Sequence, residues 1–167
     1  MLSKLLFSFA TWAMVRLLLH SHVEPNYQGR FFGSPLATTA HFGYQYIVEL
    51  LAQHGVANTM GGGYHGSVLM AADHCGKGRL VGYLLDCPSF KENSALVNRE
   101  TRFGTTLQSA VAQHHIGIVQ TLLHRGDDIN AASKLYETAL QPPSRLDHAD
   151  MVNYLIEKGA KVDHVPC

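Results

Sequence analysis

Apolar residues recur along this chain in a fixed two-part pattern with a period of 33 residues. Val15, Val48 and Val81 fall 33 apart, Val119 and Val152 again 33 apart, and only the step from Val81 to Val119 is longer, at 38. Leu36, Leu69, Leu107 and Leu140 keep the same beat and stretch in the same place, so one insertion in one unit accounts for both. Self-similarity at this period predicts stacked supersecondary units, none of which can bury its apolar face alone.

Within a unit the pattern predicts two helices. The first is announced by Gly, then Ser or Thr, then a small apolar run: Gly33-Ser34-Pro35-Leu36, Gly66-Ser67-Val68-Leu69 and Gly104-Thr105-Thr106-Leu107. A hydroxyl at that point caps the free N–H groups of a helix start. The second helix is an apolar stripe: Ile47, Val48, Leu50 and Leu51, then Leu80, Val81, Leu84 and Leu85, then Ile118, Val119, Leu122 and Leu123, then Met151, Val152, Leu155 and Ile156. Gln53-His54-Gly55, His124-Arg125-Gly126 and Glu157-Lys158-Gly159 stop it, with glycine supplying the left-handed residue past a helix end.

The expected fold is therefore all-α: helix-turn-helix units joined by hairpin-like loops, in one domain over residues 1–167. Residues 34–66, 67–103 and 104–136 read as well-formed units, 1–33 as a partial N-terminal unit and 137–167 as a degenerate C-terminal one. Pro88 is expected to end its helix and bulge the outer loop around the insertion at 87–94. Pro142-Pro143 stands where the last unit needs its first helix, which should be short, shifted or broken.

The unit starts Ser34-Pro35-Leu36 and Thr105-Thr106-Leu107, with the ends Gly126-Asp127-Asp128-Ile129-Asn130 and Gly159-Ala160-Lys161-Val162-Asp163, resemble ankyrin repeats. The resemblance runs from about Trp12 to Asp163. The start from Gly104 to Gln108 is similar to those of ankyrin arrays in large fungal multi-domain proteins. The resemblance implies a solenoid whose loops project as fingers and whose first helices line a concave face, both of which bind proteins. Carried over by position, it assigns partner contact to Arg30, Tyr64, Arg99, Arg102, Phe103, Gln108, Lys134 and Tyr136. Gln108, like Met70 at the equivalent position, is expected to look into the groove. An aromatic precedes each next unit (Phe32, Tyr64, Phe103, Tyr136) and either stiffens the fingers by packing or meets the partner. The implied function is a non-enzymatic protein-interaction module, an adaptor or scaffold. The alternative is a fragment or short paralogue of a larger multi-domain signalling NTPase whose repeats act as its sensor.

Charge and composition narrow the partner. Formal net charge is zero and 16% of residues are charged, so nothing electrostatic favours nucleic acid over protein. A monomer is expected. Three irregularly spaced cysteines, Cys75, Cys87 and Cys167, fit a reducing, intracellular setting, cytoplasmic or nuclear. The apolar stretch from Leu5 to Val15 is too short to span a membrane. It has the look of a signal peptide, but Val15 is in phase with the later units and no Ala-x-Ala follows.

Candidate chemistry is weak. His41 and His74 lie 33 apart and so occupy equivalent places on neighbouring units. No Cys-x-x-Cys or His-Glu-x-x-His accompanies them, and no metal or other cofactor is expected. Cys75 adjoins His74 and Asp73, but neighbours along a helix do not face one another, so they make no catalytic pair. Gly61-Gly62-Gly63 lacks the Gly-Lys-Ser/Thr of a phosphate loop and reads as a hairpin tip. Eleven histidines give the chain a net charge that rises as pH falls through about 6.5.

Overall fold

Ser34, Ser67 and Thr105 each start a helix in the same way. Ser34 Oγ accepts from the Ala37 N–H at 3.1 Å, Ser67 Oγ from Met70 at 3.0 Å, and Thr105 Oγ1 from Gln108 at 3.2 Å. Each cap is preceded by a left-handed glycine, with φ of 79° at Gly33, 80° at Gly66 and 83° at Gly104. A Cβ on Gly66 would press Thr101 Cγ2 at 2.9 Å, and one on Gly104 would strike Gln108 Oε1. Glycine is thus fixed there by both backbone and space.

The computed structural model describes Val15 and residues 33–54, 63–88, 101–141 and 148–162. Expectations placed on Arg30, Arg99, Phe32, the insertion loop past Pro88, Gly61-Gly62 and Pro142-Pro143 lie outside the described residues. Among these residues the chain is all-helical, with no strand. The helices are α1 (Pro35–Phe42), α2 (Gln45–Gln53), α3 (Val68–His74), α4 (Gly78–Asp86), α5 (Thr106–Ala112), α6 (Ile116–His124) and α7 (Ala149–Glu157). None of them is long and apolar enough to cross a membrane.

The turn inside each pair follows one design. Gly43 (φ 77°) and Gly76 (φ 64°) are left-handed, and two reverse hydrogen bonds close the helix end: Gly43 N–H to Ala40 O at 3.1 Å and Tyr44 N–H to Thr39 O at 2.9 Å. Between α5 and α6 the same place is taken by His114, left-handed at φ 59° without being glycine. Such a conformation costs a residue with a side chain about 1–2 kcal/mol. His114 has compensating contacts: its Nε2 lies 3.2 Å from Asp150 Oδ2 and its ring packs 4.1 Å from that of His148.

Packing runs along the chain. Helix α1 packs on α3 and α3 on α5, while α1 packs on α2, α3 on α4, α5 on α6, and α4 on α6. Ala37, Ala40, Ala71, Ala72 and Ala110 are buried, and such small side chains let the first helices approach closely. The periodic landmarks are the core itself. Val48, Val81 and Val119 are sealed from solvent, as is Leu36, and Leu69, Leu107 and Leu140 are buried. Burying each such side chain stabilises the fold by about 1.5–3 kcal/mol. Val15 is helical and packs half-buried against the same cluster.

One detail of the stripe differs from expectation. The in-register series is Leu51, Leu84, Leu122 and Leu155, all buried, whereas Leu85 and Leu123 are half-buried and Ile156 is 43% exposed. These last three lie one residue past that series and turn partly to the outside. Helix α4 ends at Asp86, and Cys87 is extended (φ −67°, ψ 126°), the backbone a following proline imposes.

Candidate functional site

Thr101, Arg102, Phe103 and Gly104 form a tight turn just before α5. Thr101 and Gly104 exchange both backbone hydrogen bonds, at 2.9 and 3.1 Å, and the Phe103 N–H donates to Thr101 Oγ1 at 3.1 Å. The turn holds Arg102 outward and Phe103 sideways. Phe103 meets Tyr64, from the preceding loop, edge-on with ring centroids 5.3 Å apart. The Arg102 guanidinium carbon lies 5.1 Å from the centre of the Tyr64 ring, a cation–π placement. Three residues expected at the finger tips thus form one cluster drawn from two successive loops. Tyr64 is 37% exposed and Arg102 is exposed, while Phe103 is half-buried.

Lys134 and Tyr136 stand on the next loop. The Ser133 hydroxyl accepts from the Tyr136 N–H at 3.0 Å, and the Ser133 N–H donates to Tyr136 O at 2.7 Å. Lys134 is exposed with Leu135 beside it, and Tyr136 is half-buried. Gln108 is a correction. It does not look into a groove: it is fully buried, and its amide joins the cap of α5 to the next loop. Its Oε1 accepts from the Thr105 N–H at 3.0 Å, and its Nε2 donates to Ala131 O at 2.8 Å and Tyr136 O at 3.1 Å. Met70, at the equivalent position, is equally buried. A capping-box glutamine with those carbonyls in reach has no polar group left for a partner.

Beneath the tips lies a histidine cluster. His65 is only 2% exposed and packs against His41 and His74, each with ring centroids 5.0 Å away, and against Phe103 at 6.1 Å. His41 Nδ1 and His65 Nε2 share a hydrogen bond of 3.0 Å, whose donor depends on the tautomer. His74 Nδ1 is held by Gln113 Nε2 at 2.8 Å. Burial, with His74, His41 and Arg102 adding repulsion, lowers the His65 pKa to about 4. His41 is lowered chiefly by burial, then by His74 and Lys77.

Cys75 faces His41, not its neighbour His74, with Sγ 3.1 Å from Nδ1. Burial raises the thiol pKa, so the pair is a neutral thiol against a neutral imidazole. That lacks the thiolate–imidazolium character of an activated nucleophile. Among the described residues no three histidine, cysteine or acidic side chains converge as metal ligands.

A groove of about 710 Å³ on the outer side runs between α6 and α7, lined in part by Gln120, His124, Arg125, Tyr154 and Lys158. Arg125 is engaged there with Asp86 at 2.9 Å. The groove includes none of the residues expected to touch a partner.

No family model matches this chain, and no curated protein does. The site therefore rests on its own geometry.

His65 is what sequence reasoning missed. Counting back from the unit glycines, the residue before Gly33 is Phe32 and that before Gly104 is Phe103, so the residue in phase before Gly66 is His65. Histidine lies outside the aromatic class that recurs before the units, and Tyr64, one residue earlier, carries that class here. The in-phase positions of His41 and His74 were the available signal that imidazoles gather there.

Proposed function

We propose that this chain is an ankyrin-type repeat array that acts as a non-enzymatic protein-binding module. Its partner is a protein held by the finger tips, with Tyr64, Arg102 and Phe103 at the centre and Lys134 on the adjoining loop. The observation that carries this reading is the joining of Tyr64, Arg102 and Phe103, from two successive loops, into one partly exposed aromatic and cationic patch. Aromatic and arginine side chains on a rigid support are the usual anchors of a protein interface. Three features supply that rigidity: the repeated glycine-and-hydroxyl caps, the Thr101–Gly104 turn and the buried Gln108 link. A preformed surface loses little conformational freedom on binding.

The repeat reading is supported by the in-phase caps at Ser34, Ser67 and Thr105 and by the contacts of each first helix with the next. The neutral Cys75–His41 contact favours a binding role over a catalytic one. The test is affinity capture from lysate with the native chain and with a Tyr64→Ala, Arg102→Ala, Lys134→Ala variant, both confirmed helical by circular dichroism. A protein retained by the native chain and lost by the variant supports the reading. Equal recovery by both removes these tips as the site.

A further inference from the structure

Just before the unit glycine the sequence has phenylalanine at Phe32 and Phe103, but histidine at His65. His65 is also the best buried imidazole in the molecule's described residues, at 2% exposed. Among the described residues the charged groups acting on it are basic, His41 from α1, His74 from α3 and Arg102 from the turn before α5, while the Tyr64 ring packs on it and the Cys75 thiol lies 3.1 Å from the same His41 nitrogen. Lys77 adds positive charge next to His41. The Asp73 carboxylate lies 3.6 Å from His115. Among the described residues no carboxylate is among the charges acting on His65.

The hydrogen-bond geometry has a second limit. The 3.0 Å contact between His41 Nδ1 and His65 Nε2 accommodates one proton between two nitrogens. Once both imidazoles are protonated, two N–H groups point at each other and the contact must open. His65 Nδ1, buried and without a hydrogen-bond partner, offers no alternative bond. We propose that the His41–His65 contact is a proton-sensitive latch that holds the finger-tip patch in its binding shape at neutral pH and releases it on acidification. Opening moves His65 out from under Tyr64 and Phe103, which it touches at 5.2 and 6.1 Å between centroids, and breaks up the patch that Arg102 completes. The consequence for a partner rests on the finger-tip reading above, and is a protein ligand held near pH 7.5 and let go near pH 5. The latch itself rests on geometry alone.

The test needs no partner. Histidine side-chain resonances are followed in the full chain from pH 7.5 to pH 3.5, and amide hydrogen exchange from pH 7.5 to pH 5, with exchange corrected for its intrinsic pH dependence. His65→Phe is the control, since the equivalent sequence positions already hold phenylalanine. With a closed-state pKa of about 4 and an open-state value of 6.5, opening should become roughly thirtyfold easier at pH 5. The expected result is that loss at the Phe103 and Gly104 amides, with Val48, Val81 and Val119 still protected, and no such loss in His65→Phe. If His65→Phe does not fold, the native titration decides alone: a His65 midpoint below pH 5 with local opening supports the latch. A midpoint near 6.5, equal loss in the variant, or Phe103 and Gly104 amides that exchange no faster than those of the core valines overturn it. Because partner capture is absent from these readouts, failure of the latch leaves the binding surface standing, and failure of capture leaves the latch standing.

Discussion

Asp73 Oδ1 stands 3.6 Å from His115 Nδ1, linking α3 to the turn before α6, with Asp73 sealed from solvent and His115 a quarter exposed. Neither carboxylate oxygen receives a well-formed hydrogen bond. Burial raises the Asp73 pKa against the opposing pull of His115 and Ser109, and Asp73 raises that of His115. Removing the imidazole leaves the buried Asp73 carboxyl without that partner, and His115→Ala should destabilise by about 1–3 kcal/mol. Adding Asp73→Asn should recover most of that loss. Urea denaturation of the single and double variants measures the coupling, and equal losses in both would show that the pair is not interacting.

The two histidine groups respond to pH with opposite signs. His115 has a raised pKa, so its contribution is complete below 6.5 and fades as pH rises through the raised value. Asp73, also raised, favours the fold most below 3.8 and loses that contribution as pH rises through its folded value. His65 is lowered to about 4, so its contribution is complete above 6.5 and fades as pH falls from 6.5 toward 4. His65→Phe should accordingly keep about 2 kcal/mol more of its neutral-pH stability at pH 5 than the native chain keeps. Denaturation midpoints of both proteins at pH 7.5 and 5 give the comparison, and parallel losses would contradict it.

Gln108 is a structural residue. Its truncation leaves the buried Thr105 N–H and the part-buried Ala131 carbonyl without these partners, while Tyr136 O keeps the Ser133 N–H. Gln108→Ala should cost about 2–3 kcal/mol, while Thr105→Ala, which removes one cap bond, should cost about 1 kcal/mol. If Gln108→Ala weakened partner capture without lowering stability, Gln108 would be a contact residue after all. Thermal unfolding beside the capture assay separates the two.

Gly82 is a glycine that the fold does not require. It lies inside α4, a Cβ there meets nothing within 4 Å, and the equivalent positions hold Glu49 and Gln120. Gly82→Ala should raise stability by about 0.5–1 kcal/mol. A fall in thermal midpoint would mean that this face of α4 is covered by something that a methyl group displaces.

The sequence shows the architecture better than the site, for a physical reason. Core positions repeat because every unit solves the same packing problem, so Val48, Val81 and Val119 could be read from spacing alone. Caps could be read as well, since a hydroxyl residue directly before an apolar helical run marks a helix start. Contacts between units were less legible. His41 meeting Cys75, and His115 meeting Asp73, depend on how one unit is set on the next. Spacing brings such residues to neighbouring units but does not orient their side chains. Gln108 was misplaced because a polar residue on a first helix reads as groove-facing until its own cap captures it. His65 shares the phase of Phe103, but histidine lies outside the aromatic class that recurs before the units, so Tyr64, one residue earlier, carries that class there.

Binding at the finger tips is the central claim, and calorimetric titration of the captured partner against single variants tests it most directly. Arg102→Ala removes the cation over Tyr64, and Lys158→Ala, in the groove between α6 and α7 that includes none of the tip residues, is the control. The account predicts that Arg102→Ala weakens binding by about tenfold or more, the usual size of a hot-spot arginine, and that Lys158→Ala leaves it unchanged. Loss of binding with Lys158→Ala and none with Arg102→Ala would move the interface to the outer groove and contradict it.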